Sequence, residues 1–263
     1  MRTNWIIAAL LGLLLGGCAS VETAPTPEER QALAPTGKLR VAMVANEPIF
    51  ATRDPRSGEL KGVVIDLGSE LARRLGVPVE MLSYPTPTAL IGSAQSGQSD
   101  IAVSVINPER AKIFDLSAPY GEVDVGYLVA KGSTLSAAPE ADRPGVRIAV
   151  QQRGAADSLL TAAIKSATLI RVPSSTEAVA MLASGAADAV AGNKTFLYAA
   201  SEQLAGSRIL EGRVDVSGFG IGIPKGRERG AAYLRKFLEE AKASGFVKAA
   251  VERAGVRGLV AAP

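Results

Sequence analysis

A chain of 263 residues, 47% of them hydrophobic, is long enough to bury one large core or two smaller ones. It contains no histidine and one cysteine, which excludes Ser-His-Asp and Cys-His nucleophiles, the zinc-hydrolase motifs and an internal disulfide. The net charge of +3 is scattered and aromatic residues are few, which argues against a nucleic acid as partner.

Arg2 precedes an unbroken apolar run over residues 6–17, too short to span a bilayer comfortably. A short basic start, a short apolar stretch and small residues form the secretory signal pattern, so residues 1–17 are expected to be a signal peptide. The run ends in Leu15-Gly16-Gly17-Cys18, then Ala19-Ser20, and resembles a bacterial lipobox, whose cysteine takes a diacylglyceryl thioether. Lipidation at Cys18 would use the one thiol and hold the protein to a membrane; ordinary cleavage with Cys18 incidental is the alternative. Several acyl chains on one cysteine hold better than the marginal grip of one. Residues 18–36, with Pro25, Pro27 and Pro35, read as a flexible tether.

From there strands and helices alternate. Residues 38–44 read as a strand, 54–62 as turn chemistry, and 66–75 as a helix stopped by Gly76. Residues 79–82 form a second strand, 89–96 a helix, and 100–106 a nearly all-apolar strand suited to cover on both faces. The pattern repeats with strands at 146–150, 168–172 and 188–191, and helices at 155–166, 175–183 and 195–202. The Ser-Ser-Thr-Glu start of the 175–183 helix predicts a capping box. Residues 231–254 read as amphipathic helix, with Tyr233, Leu234, Phe237, Leu238 and Ala241 on one stripe. Two similar halves of alternating strand and helix predict an α/β protein with parallel sheets and two lobes.

Several blocks sharpen this reading. Gly37-Lys38-Leu39-Arg40-Val41 opens the folded part, and GVVIDLGSELARRL follows from Gly62. Then come GQSDI from Gly97, PERAKIFDLSAPY from Pro108 and GIGIPKG from Gly220. In order and spacing they resemble the bacterial extracellular solute-binding proteins of family 3, the group that includes polar amino-acid binders of ABC transporters. The resemblance spans about residues 37–258. It implies a periplasmic-binding-protein fold: two α/β lobes joined by two crossing strands, near residues 122–127 and 215–219, with ligand bound in the cleft and released by hinge motion. Lobe 1 would comprise 37–126 and 218–263, and lobe 2 residues 127–217.

The same resemblance assigns candidate ligand-binding residues. Arg110 matches the arginine that grips a ligand carboxylate through a bidentate fork; a surface salt bridge with Glu109 or Asp115 is its bland alternative. Ser104 and Asn107 stand near positions that hydrogen-bond ligand. Gly154 and Ala155 match a turn at a helix start, where free backbone N–H groups favour an anion. Asn193 stands where amino-acid binders carry an Asp for the α-ammonium group, or it caps the helix that follows. Asn46 and Glu47 fall in the first loop lining the cleft, and Phe50 and Tyr84 are candidate walls. No catalytic residue, metal or cofactor is expected.

These readings describe a lipid-anchored receptor at the cell envelope, in the periplasm. It is expected to be a monomer that carries a small carboxylate-bearing solute to an ABC permease. The competing classes are a lyase or dehydratase on the same lobes, with Glu47 as its acid, and a sensory ligand-binding module.

Overall fold

The computed structural model describes residues 24–54 and 56–263. The signal run and Cys18 lie outside the described residues.

The first element already departs from the sequence reading. Within the expected tether, Pro27–Leu33 forms helix α1. Thr26 accepts a hydrogen bond from the Glu29 N–H, the Glu29 carboxylate accepts one from the Thr26 N–H, and Pro27 stands at the first helical position. Proline and glutamate, read as linker composition, are here a capping box with a proline start. Leu33 is 0% exposed, so at least this stretch is docked rather than free.

The chain continues through β1 (Leu39–Val44), the hairpin β2 (Thr52–Arg53) and β3 (Leu60–Lys61), α2 (Val63–Leu75), β4 (Val79–Tyr84), α3 (Pro87–Gln95) and β5 (Ile101–Val105). Helix α2 buries Val63, Val64, Leu67, Leu71 and Leu75, one face at helical spacing, and stops where Gly76 turns left-handed (φ 65°). Every position of β5 is buried, as its apolar run requires. A short helix α4 (Pro108–Ala111) and β6 (Phe114–Leu116) lead into the long strand β7 (Gly121–Val129).

The second half repeats the plan with β8 (Arg147–Gln151), α5 (Ala155–Ala163), β9 (Thr168–Val172), α6 (Ser175–Ala183), β10 (Ala189–Asn193) and α7 (Lys194–Gln203). β11 (Arg208–Ile209) and β12 (Asp215–Pro224) return the chain to the first half. There α8 (Glu228–Ala243), α9 (Phe246–Ala254) and β13 (Leu259–Ala261) complete the structure.

The main strand order is β4-β1-β5-β12-β7-β10-β8-β9. β4, β1 and β5 are parallel, as are β10, β8 and β9. Between these wings β12 and β7 run antiparallel to each other, pairing Asp215 with Val125 through Phe219 with Gly121. This is the expected α/β architecture of two lobes joined by crossing strands.

Two local expectations change. The tail is not one helix: Gly245 adopts φ 77° between α8 and α9, a left-handed break that glycine tolerates. At α6 the capping box is only half made. Ser174 accepts from the Glu177 N–H, but the Glu177 carboxylate takes the Ser174 hydroxyl instead of its backbone N–H.

Candidate cleft and its anchoring residues

Two loops of the first half supply the buried charges. After β1 the chain turns at Asn46, which has a left-handed φ of 59°, and the Phe50 N–H bonds back to the Glu47 carbonyl. This tucks Glu47 inside at 5% exposure and brings Phe50 edge-on to Phe219, ring centroids 5.6 Å apart. Gly62 permits that loop: a Cβ there would lie 2.7 Å from the Phe50 carbonyl oxygen, and φ is 148°.

After β5, Asn107 caps α4 by accepting from the Arg110 N–H at 2.8 Å. The cap turns the Arg110 side chain back under the strand, where Nε donates to Ser104 Oγ at 2.9 Å. Nη2 reaches across to the Arg153 carbonyl at 2.6 Å, and Nη1 is buried with no hydrogen-bond partner among the described residues. Arg110 is 2% exposed, so the salt bridge to Glu109 or Asp115 does not form; Asp115 pairs with Lys225 instead. Burial first, and the neighbouring Arg153 charge second, push the Arg110 guanidinium down to about 10.

The second half closes over these loops. Ser175, the first residue of α6, donates to Glu47 Oε1 at 2.6 Å. Burial pushes the Glu47 carboxyl up to about 7, with the Ser175 hydrogen bond opposing. Asn107 Nδ2 donates to Ser158 Oγ at 2.8 Å. Arg153 takes φ 60° at the turn before α5, and its N–H bonds to Asp157. The Gly154 N–H bonds to the Gln151 carbonyl. Of the amides expected to face an anion, that of Gly154 is therefore already engaged. Asn193 does not cap α7 with its side chain; its Oδ1 is buried without a partner among the described residues.

Glu47, Phe50, Ser104, Arg110, Gly154, Ala155 and Asn193 all line one small cavity of about 40 Å3. The structure thus brings together seven residues from segments far apart in sequence. Three candidates fall elsewhere. Asn46 lines a wider neighbouring groove of about 580 Å3. Asn107 lines neither space and works as a cap and cross-lobe bond. Tyr84 lines neither, because β4 carries it into packing against the core.

Pro87, Leu90 and Phe219 line the cavity and Ser175 bonds to Glu47 beside it, and the sequence reading singles out none of these as site residues. Ser175 looks like an ordinary helix start. Pro87 and Leu90 read as helix residues. Phe219 had a usable signal: it is the one large side chain between Gly218 and Gly220 in a crossing strand. Among the described residues no group of three or more Asp, Glu, Cys or His could hold a metal ion. No helix among them is long and apolar enough to cross a membrane.

The cavity offers a buried cation with a free donor, a free amide acceptor and a near-neutral carboxyl between aromatic walls. That set can recognise a small polar molecule by its charged head. Comparison with known proteins agrees. The family model of the bacterial extracellular solute-binding proteins, family 3, matches residues 39–255. The virulence sensor protein BvgS of Bordetella bronchiseptica is 34% identical over 147 residues, covering 56% of this chain but only 12% of that protein's length. The ABC transporter glutamine-binding protein GlnH of Bacillus subtilis is 24% identical, covering 79% of this chain and 77% of GlnH. Among solved structures, an ancestral amino acid-binding protein, described as a precursor of cyclohexadienyl dehydratase, superposes with a TM-score of 0.71. It is 27% identical and covers 85% of this chain and 98% of its own.

Proposed function

The chain belongs to the bacterial extracellular solute-binding proteins, family 3, and from that premise we propose that it is the receptor of an ABC importer for a carboxylate-bearing solute. The solute is an amino acid or a related organic acid. It binds between the lobes, and the closed form is presented to the membrane permease. The protein acts as a monomer at the cell envelope, in the periplasm, held by lipid on Cys18, and performs no chemistry on its cargo. Lobe 1 is residues 37–126 and 218–263, and lobe 2 residues 127–217.

One observation carries this reading. Arg110 is a buried guanidinium with no ion-pair partner among the described residues and one donor unused, and Asn193 Oδ1 is unpaired in the same cavity. A buried charge without a counter-charge is strongly unfavourable, and a ligand carboxylate supplies what is missing. Asn193 in place of an acid accepts a donor from the ligand but provides no ion pair to an ammonium group. Calorimetric titration of an α-amino acid and its deaminated analogue tests the reading. Binding of both, lost when the carboxylate is removed, is expected. Tight binding of a plain amine, unchanged in Arg110→Ala, overturns it.

A second reading has one observation in its favour. Glu47 is a buried carboxyl pushed up to about 7, in the range of a general acid. With a dehydratase precursor among its structural likenesses, the protein could act as a lyase. Turnover of a prephenate-like acid by the purified protein, lost in Glu47→Gln, would support it. The match to a sensor protein supports a signalling partner only where a second protein binds the closed form.

A further inference from the structure

We infer that the groove beside the Arg110 cavity is a second compartment of the same site, and that the Glu47–Ser175 hydrogen bond is the removable wall between the two. The inference rests on the proposed function, since it takes Arg110 as the anchor of the ligand head.

The small cavity measures about 40 Å3. At roughly 10–15 Å3 per water, it admits only a few non-hydrogen atoms. It can hold a ligand's head but not a whole amino acid with an extended side chain. The groove measures about 580 Å3, within the ordinary range of small-molecule sites. The two spaces meet at one place. Val44 lines both. Glu47 lines the cavity, while its chain neighbours Asn46 and Pro48 line the groove. Thr176, next to Ser175, lines the groove as well. The 2.6 Å bond from Ser175 to Glu47 therefore stands at the boundary. A single hydroxyl-to-carboxyl bond is a partition that a ligand can replace with bonds of its own.

The groove also indicates what lies beyond the wall. Phe196, Val179 and Pro48 give it apolar sides suited to a methylene stem. Arg53 and Gln203 add polar groups, and Arg53 has no ion-pair partner among the described residues. A cationic tip is disfavoured beside Arg53, and an acceptor-bearing tip is favoured. The ligand class is an elongated carboxylate with an apolar stem and an amide or anionic far end.

The test uses the full chain and three probes: alanine, Nε-acetyllysine and lysine. Calorimetry should give Nε-acetyllysine an affinity at least about tenfold above alanine and above lysine. Ala199→Trp and, separately, Thr176→Trp fill the groove and should erase that advantage while leaving alanine unchanged. Ser175→Ala should raise the ratio of Nε-acetyllysine to alanine affinity about threefold or more. Equal affinity for the three probes, no binding by the long one, or an undiminished length advantage in both tryptophan variants overturns the inference. Failure of the underlying reading is distinguishable: Arg110→Ala would then keep wild-type affinity for every probe that binds.

Discussion

Asp100 accepts three hydrogen bonds from Arg40, from the backbone N–H at 2.9 Å, from Nε at 2.9 Å and from Nη2 at 2.7 Å. Asp188 does the same for Arg147, at 2.8, 3.1 and 2.9 Å. Each Asp immediately precedes a strand, and each Arg lies on the central strand of one parallel wing, so the two lobes share a fastening at the same place. They differ in surroundings: the Asp100 carboxyl is 0% exposed and that of Asp188 is 41% exposed.

Stability should follow that difference. Removing one partner of a buried pair leaves an uncompensated charge, so Asp100→Ala should lower unfolding free energy by about 3–5 kcal/mol. The exposed pair is screened by water, and Asp188→Ala should lower it by only about 0–1 kcal/mol. Urea denaturation of the two variants side by side decides the matter; equal losses would contradict the burial argument.

A pH dependence follows from Glu47. Its folded-state value is raised from 4.5 to about 7, so between those values the folded protein binds the proton more readily than the unfolded chain. The stabilising contribution is complete below about pH 4.5 and is lost as pH rises through 7. At about 1.36 kcal/mol per pH unit, the loss has an upper bound of about 3 kcal/mol. Arg110 and Arg153 line the same cavity, and Ser175 faces Glu47 directly. Wild type should show a lower urea midpoint at about pH 8 than at about pH 5, and Glu47→Gln should flatten that difference. A slope that persists unchanged in Glu47→Gln would move its origin elsewhere.

For recognition, Arg110→Ala should weaken binding of a carboxylate ligand by about 2–4 kcal/mol, or about 30- to 1000-fold. Arg110→Lys should recover only part, because a point charge lacks the fork. Asn193→Asp should favour an α-amino acid over its deaminated analogue by adding the missing counter-charge. Calorimetry on that matched pair reads both effects; an unchanged preference in Asn193→Asp places the amine away from residue 193.

Gly62→Ala should be disproportionately harmful. A β-carbon at φ 148° would meet the Phe50 carbonyl oxygen at 2.7 Å and push aside the loop that carries Glu47 and Phe50. A destabilisation of about 1–3 kcal/mol is expected from the strained backbone alone. Ligand affinity should fall as well, measured on protein that remains folded. Wild-type binding would show that the loop adapts.

The fold is largely legible in the sequence because it rests on periodicity. β5 is an uninterrupted apolar run, α2 an i, i+4 stripe stopped by glycine, and the second half repeats both signals. α1 is not, because Thr26-Pro27-Glu28-Glu29 has the composition of a linker and only its geometry makes it a cap. The site divides along the same line. Arg110 stands in a recognisable block, and Glu47 and Asn193 are candidates by their place in loops that the family resemblance aligns. What each touches depends on partners far away, such as Ser175, 128 residues beyond Glu47. The identity of Asn46 as a groove residue and the turn of Tyr84 into packing depend on loop direction, which side-chain type does not encode.

The crossing strands also govern how the molecule can fail. β7 is held along one edge by β12 and along the other by β13 and then β10, so every stretch of it is paired with an element from elsewhere in the chain. Neither lobe owns a sheet that could survive alone, since melting either wing removes the edge on which the other is built. Heat or denaturant should therefore meet one cooperative unit, with a single calorimetric transition. The amides of Val123 and Val125, enclosed on both sides, should exchange their hydrogens only when the whole molecule opens.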